Sequence, residues 1–436
     1  MEATGKAIAI VGLNASGKTC LVEQMRRQLA SDRVRYMAFC DTYGAATDRA
    51  YYLQLRWNQH DIDEETPTVG ARLEKAFLLT GPDTPERRDF QQQLYHLFNI
   101  HAQAHEYVIL LSSGELRKFQ LVRTLLAHPQ ILILDNPFIG LDAEAREQLK
   151  ALLRLLAETQ QMQIYLVLTS AADIPDFVDE VQWTTPCDIM RQTPTGLPEE
   201  RRKALLSLPD AGGEAGEPVV ELHQVSIRYG ERTILNALDW TVRRGECWAL
   251  SGQNGSGKST LLSLITADNP QGYACDISLF GKARGSGESI WDIKRRIGYV
   301  SPEMHRSYQR NLPALQVVAS GLKDTIGLYV RPNQAEKEQC LWWMRIFGIE
   351  ALADRSFLSI SSGEQRLVLL ARAFVKDPEL IILDEPMHGL DEPNKQMVKD
   401  IIKAFCQRRG KTLIMVSHYE EELPDCISHR LRLVKE

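Results

Sequence analysis

The sequence predicts an α/β protein of two related domains in tandem. Each is a mostly parallel sheet covered by helices, and the second carries an added antiparallel β-layer. Three observations lead there. The same ordered set of segments occurs twice along the 436 residues. Within each copy, apolar runs of strand length (AIAIV, ILILD, IYLVL; CWALS, LIILD, LIMVS) alternate with amphipathic helical stretches, the pattern of a sheet buried on both faces. Only the second copy opens with VVELHQVSIRYGERTILNALDWTV, a set of alternating strands joined at turns. The first has eleven residues ahead of Gly12, too few for that layer.

The repeat keeps its register. GLNASGKT (12–19) matches GQNGSGKS (252–259) at an offset of 240, and LSSGE (111–115) matches ISSGE (360–364) at 249. The offset of 249 holds through ILILDNP with LIILDEP, FIGLD with MHGLD, and DIPDF (173–177) with ELPDC (422–426). Residues 1–186 therefore read as a first domain and 218–436 as a second. The stretch 187–217, rich in Pro, Gly and acidic residues, reads as a linker with a short helix in EERRKALLSL.

Composition narrows the class. With 44 % hydrophobic and 25 % charged residues the chain is ordinary for a soluble globular protein. A net charge of -6 and a pI near 6.0 give no general pull toward nucleic acid or an anionic membrane face. No apolar run reaches the ~18 residues that cross a bilayer, and KAIAIVGLN is too short for a secretory signal. Eight cysteines (Cys20, Cys40, Cys187, Cys247, Cys275, Cys340, Cys406, Cys426) form no CxxC pair. That predicts a reducing, cytoplasmic setting with neither a disulfide framework nor a zinc site.

Each copy's first strand runs into a loop of the form G-x-x-x-x-G-K-[ST] and then a helix. The residues are Gly12, Leu13, Asn14, Ala15, Ser16, Gly17, Lys18 and Thr19, with Cys20 next. In the second copy they are Gly252, Gln253, Asn254, Gly255, Ser256, Gly257, Lys258 and Ser259, with Thr260 next. Glycines let the backbone wrap so that its N–H groups and the helix N-terminus face phosphate oxygens. Lys18 and Lys258 would neutralise the β- and γ-phosphates, and the Thr19 and Ser259 hydroxyls would reach Mg²⁺. Asp135 and Asp384 end apolar strands, where P-loop NTPases hold Mg²⁺ through a carboxylate; a helix-capping aspartate would look the same. The substrate class implied is a nucleoside triphosphate with Mg²⁺.

A second anion site is readable at SSGE. Ser112, Ser113, Gly114 and Glu115, and again Ser361, Ser362, Gly363 and Glu364, place hydroxyls and bare amides at a helix start. An ordinary N-cap would use the same residues. Standing between a phosphate loop and a D-[EN]-P strand end, the order resembles that of the ATP-binding cassette (ABC) superfamily, with its LSGGQ signature. Both copies depart from that signature, with Ser for the first Gly and Glu for the Gln. The run NPQGYACDISLFGKARGSGESIWDIKRRIGYVS (269–301) is further similar to tandem-cassette ATPases described as molybdenum-transport ATP-binding proteins.

The resemblance implies roles for single residues. In such cassettes two copies pack head to tail and each ATP lies between one P-loop and the other signature. The glutamate after the Mg²⁺ aspartate polarises the attacking water, and a histidine past the next strand contacts the γ-phosphate. In the second copy these are Glu385 and His418; in the first, the same places hold Asn136 and Thr169. The implied arrangement is one hydrolysing site and one slow site, although two active sites with a tolerated Asn136 would fit the same residues. Tyr229 sits where family members stack a ring on adenine, or is a half-buried strand tyrosine. Asp142 and Asp391 match the loop that senses the opposite cassette, or are helix caps. The glutamine that usually couples ATP to a membrane partner is missing: Pro302 stands there with Glu303 next, and Phe39 in the first copy.

The resulting expectation is an ATPase that is cytoplasmic or peripheral on the inner membrane face. It would energise separate transmembrane permease subunits of a transporter, with molybdate or a related oxyanion as the cargo the resemblance implies. The alternative is a mechanical ATPase working on a ribosome or nucleic acid. A nucleotide-sensing regulator without turnover is disfavoured by Glu385 with His418.

Overall fold

The computed structural model describes residues 6–434 apart from 30–33, 38–66, 109–110, 112, 140, 142, 160–161, 186–194, 211, 215, 230–231, 303, 305–307, 309–310 and 327–330. The chain divides into two compact units, Met1–Thr193 and Pro194–Glu436.

The first unit is built on a five-stranded parallel sheet of β1 (Ala7–Val11), β2 (Val34–Met37), β3 (Ile131–Asp135), β4 (Gln163–Leu168) and β5 (Glu180–Trp183), in the order β2-β3-β4-β1-β5. All its pairings are parallel. AIAIV has no polar position because β1 lies inside the sheet and every one of its residues is buried. On one face Ala9, Leu132, Leu134 and Leu166 pack with helices Val69–Leu79, Pro85–Leu97, Ser113–Leu125 and Ala143–Thr159 into a continuous core. Thr68 and Thr84 cap two of those helices, accepting from Ala71 N at 3.2 Å and Arg87 N at 3.4 Å.

The second unit repeats the plan. β8 (Cys247–Gly252), β11 (Ile297–Val300), β12 (Leu380–Asp384), β13 (Thr412–Val416) and β14 (His429–Leu433) take the order β11-β12-β13-β8-β14, the same topology with the same strand roles. The expected antiparallel layer is present as β6 (Pro218–Tyr229), β7 (Arg232–Arg243), β9 (Asp276–Leu279) and β10 (Lys282–Ala283), in the order β10-β9-β6-β7.

That layer changes what the phosphate-loop helix can bury. Val220, Leu222, Ile227 and Val242 of the layer close over Leu250, Ile382, Ile414 and Val416 of the sheet, and helix Lys258–Ile265 is buried from Thr260 to its end. The matching helix of the first unit, Lys18–Gln28, buries Lys18 and Val22, and its face of the sheet gathers Ile10, Val22, Ile133 and Val167. Each fully buried Leu, Ile or Val contributes ~1.5–3 kcal/mol, so among the described residues this face of the second unit is the better anchored.

Part of the stretch read as a linker is built into the second unit. Helix Glu199–Leu206 lies on helix Glu392–Gln407 with Leu205 fully buried. Leu197 N donates to Asp400 Oδ2 at 2.9 Å, Arg408 donates to Pro209 O, and Arg409 N donates to Asp210 Oδ1 at 3.1 Å. The register of the apolar residues in EERRKALLSL is too short to reveal such packing in sequence.

Candidate functional site

Both phosphate loops take one shape. Lys18 Nζ donates to Gly12 O at 2.6 Å and Leu13 O at 2.7 Å; Lys258 Nζ donates to Gly252 O at 2.6 Å and Gln253 O at 2.9 Å. Each ammonium is thereby held at the mouth of its loop. Gly17 and Gly257, at φ 88° and 91°, turn the chain into the helix in the left-handed region. At Gly12 a Cβ would stand 2.0 Å from Thr184 Oγ1, so the loop needs the bare backbone. Ala15 adopts φ 59° where the second loop has Gly255 at φ 79°, a local strain of about 1–2 kcal/mol in the first loop. Thr19 and Ser259 follow the lysines in the first helical turn, with Cys20 exposed and Thr260 buried behind them. Asn254 Nδ2 and Ser256 Oγ are buried in the second loop without a hydrogen-bond partner. Donors aimed into a glycine-lined turn at a helix N-terminus are the chemistry a triphosphate requires, so the residues fit ATP with Mg²⁺.

The acidic strand ends share a backbone and differ in side chains. Asn136 and Glu385 have left-handed φ of 46° and 50°, and their amides bond to Val167 O at 2.8 Å and Val416 O at 3.0 Å. In the second unit Glu385 is buried, with His388 Nε2 3.0 Å from its Oε2 and His418 Nε2 3.4 Å from its Oε1. Both are charge contacts without hydrogen-bond alignment. Burial alone would push the carboxyl up, but His388, then His418 and Lys258, outweigh it and hold Glu385 below the usual carboxylate range. In the first unit Asn136 Nδ2 donates to Asp135 Oδ1 at 2.9 Å, and Thr169 Oγ1 donates to Asn136 Oδ1 at 3.3 Å. Tyr36 OH donates to Asp135 Oδ2 at 3.4 Å, and burial pushes the Asp135 carboxyl up against Arg117 and Lys18. One unit presents a charged carboxylate flanked by imidazoles; the other presents a neutral chain of amide and hydroxyl.

The family model for ABC transporters matches residues 3–139 and 235–388. The chain belongs to that family. It is an ABC-type ATPase with two cassettes in one chain. It is 35 % identical over 463 residues to the ABC transporter ATP-binding protein ModF of Escherichia coli K12, an alignment covering 99 % of this chain and 91 % of that one. An uncharacterized ABC transporter ATP-binding protein of Schizosaccharomyces pombe is 32 % identical over 335 residues, 75 % of this chain and 68 % of its own length. One of Saccharomyces cerevisiae is 28 % identical over 402 residues, covering 80 % and 73 %.

The remaining cassette residues fall as follows. In the second cassette Ser361 caps helix Ser362–Phe374 through a reciprocal capping box, Glu364 N donating to Ser361 Oγ at 3.3 Å and Ser361 N to Glu364 Oε2 at 2.8 Å. The Glu that departs from the family signature closes this box. Of the first signature, Ser112 lies outside the described residues, while Ser113 and Gly114 open helix Ser113–Leu125 and Glu115 accepts from Gln103 Nε2 at 2.9 Å. Asp391 caps helix Glu392–Gln407, accepting from Asn394 N at 3.0 Å; Asp142, Phe39 and Glu303 lie outside the described residues. Tyr229 ends β6 half-buried, its hydroxyl accepting from Asn269 Nδ2 at 3.0 Å.

Two features escaped the sequence reading. Arg366 is buried and ties helix Ser362–Phe374 to the strand end that carries Glu385, donating to Asp384 O at 2.9 Å, Pro386 O at 3.2 Å, Ser301 O at 3.3 Å and Glu385 O. Arg117 does the same in the first cassette, to Asp135 O at 3.1 Å and Asn136 O at 3.2 Å. An arginine three residues past SSG in both copies was the available signal. The other is His388, whose place in the first cassette is taken by Ile139, a third loss on the same side.

Proposed function

We propose that ATP is hydrolysed at the P-loop of the second cassette and held with slow turnover at that of the first. The observation that carries this reading is the buried Glu385 with His388 and His418 at its two oxygens, against Asn136 bonded to Asp135 and Thr169 in the same backbone position. Glu385 would take a proton from the attacking water on a carboxylate oxygen; an amide of nearly that shape has no such acceptor at neutral pH. Ser259 and Asp384 would hold Mg²⁺, which when bound neutralises phosphate charge, and Lys258 would orient the phosphates. Under the same proposal the two SSGE helix starts, Ser112 to Glu115 and Ser361 to Glu364, would each offer hydroxyls and amides to nucleotide phosphate. Tyr229 would stack on the adenine of the fast site, and Asp142 and Asp391 would report nucleotide state from one cassette to the other. Loss of general-base help is worth ~10²–10⁴-fold, about 3–5 kcal/mol of barrier. Glu385→Gln is expected to lower steady-state turnover by that factor while leaving ATP binding intact; near-normal turnover in this variant would overturn the assignment.

We further propose that the chain energises a transporter whose membrane-spanning subunits are separate polypeptides. Among the described residues no helix is long and apolar enough to cross a membrane. A molybdate or related oxyanion as cargo rests on the likeness to ModF and to the molybdenum-transport ATPases. Affinity purification of the tagged chain is expected to retain a polytopic membrane protein; ribosomal particles in its place would overturn the transport reading.

A further inference from the structure

Three cysteines that lie far apart in sequence meet in the second unit. Cys247 starts β8, Cys406 stands near the end of helix Glu392–Gln407, and Cys426 lies in the loop before β14. Their sulfurs all fall within 4.8 Å of one another. The sequence reading, looking for CxxC pairs, missed them. Cys247 is buried and the other two are half-buried, so the cluster is walled by protein.

The scaffold holds the sulfurs independently of nucleotide. Leu413 pairs with Cys247 on one side of β8; on the other, Ser428 N donates to Cys247 O at 2.9 Å and Cys247 N donates to Ser428 Oγ at 3.3 Å, two residues from Cys426. Gly252 and the phosphate loop are at the far end of β8, about 16 Å away at ~3.3 Å per residue. Leu423 and Ile427 pack beside the cluster in the apolar core.

The first unit supplies an internal control. At the matching register positions it has Ala7, Ala157 and Phe177. Ala7 and Ala157 are buried there and Phe177 packs on the core. The fold therefore needs no sulfur at these places.

We propose that Cys247, Cys406 and Cys426 form a three-coordinate thiolate site for a soft cation of the Cu(I) class. Sulfurs around one ion at ~2.3 Å stand about 4 Å apart, so the cluster must contract by less than about 1 Å. Thiolates select soft ions, and among the described residues no histidine, carboxylate or fourth cysteine joins the group, as a closed tetrahedral zinc site would need. Binding one Cu(I) by three thiols releases up to three protons to solvent; nothing is oxidised or reduced.

The full-length chain, reduced and metal-free, titrated anaerobically with Cu(I) against the competitor bicinchoninate, is expected to withdraw one Cu(I) per chain. Its melting temperature should rise with that equivalent. C247A/C406A/C426F, which copies the first unit, and C247S/C406S/C426S are each expected to lose the withdrawal and the rise while binding ATP as before. Equal withdrawal by a folded triple variant would overturn the site, since the other cysteines would then hold the ion. So would retention of Zn(II) with no uptake of Cu(I), or a disulfide within the trio in chain taken from reducing extract.

Discussion

At Asn136 the chain has not simply mislaid a carboxylate. Its amide nitrogen donates to Asp135 and its amide oxygen accepts from Thr169, so a glutamate there would face the Asp135 carboxylate without the two imidazoles that flank Glu385. Glu385 has the same left-handed backbone, costly for a long side chain, and is stabilised as an anion by His388 and His418. Asn136→Glu alone is therefore expected to leave turnover unchanged within about twofold, while Asn136→Glu with Ile139→His and Thr169→His raises it; steady-state ATPase assays on both decide. His388→Ala removes the larger of the two imidazole contributions. His388 lowers the Glu385 carboxyl, so its removal is expected to raise that carboxyl and move the acid limb of the kcat–pH profile to higher pH. A limb that stays in place would show that His388 does not tune Glu385. Of these residues, Glu385, His418, Asn136 and Thr169 were readable from spacing between the repeats. His388 was not, because nothing in MHGLD marks its ring as turned toward the carboxylate.

At the scale of elements, strands and phosphate loops were legible because their signals are local: apolar runs bounded by Asp or Gly, and a loop whose glycines fix its path. The antiparallel layer was legible for the same reason, in the alternation of VVELHQVSIRY. Packing between distant segments was not. Helix Glu199–Leu206 has only one fully buried side chain, Leu205, and its weak amphipathicity gave no hint that it would settle on helix Glu392–Gln407. Leu205→Ala is expected to destabilise the second unit by ~2–5 kcal/mol, the range for a buried leucine left as a cavity, read by urea denaturation of the full chain; a change below about 0.5 kcal/mol would mean the helix is only laid on the surface. Arg366 belongs to the same class of omission. Its partners are backbone carbonyls of two separate segments, Ser301 and Asp384 to Pro386, and carbonyls leave no trace in a sequence.

For the molecule as a whole, one strand order serves two cassettes that have diverged in opposite directions. The second has the β-layer, a phosphate-loop helix buried from Thr260 to its end, Glu385 with two imidazoles, and three converging cysteines. The first keeps the loop, its lysine and Asp135, with Asn136, Ile139 and Thr169 around them. Under the proposed roles, binding chemistry is duplicated and proton-accepting chemistry is not. The most direct test is a single-turnover count with labelled ATP on protein loaded at both P-loops and mixed into unlabelled nucleotide. Half of the bound label should be cleaved in a fast phase and half at least ~10²-fold more slowly, with Glu385→Gln abolishing the fast phase alone. One phase consuming all bound ATP at a single rate, or a fast phase that survives Glu385→Gln, would contradict the account.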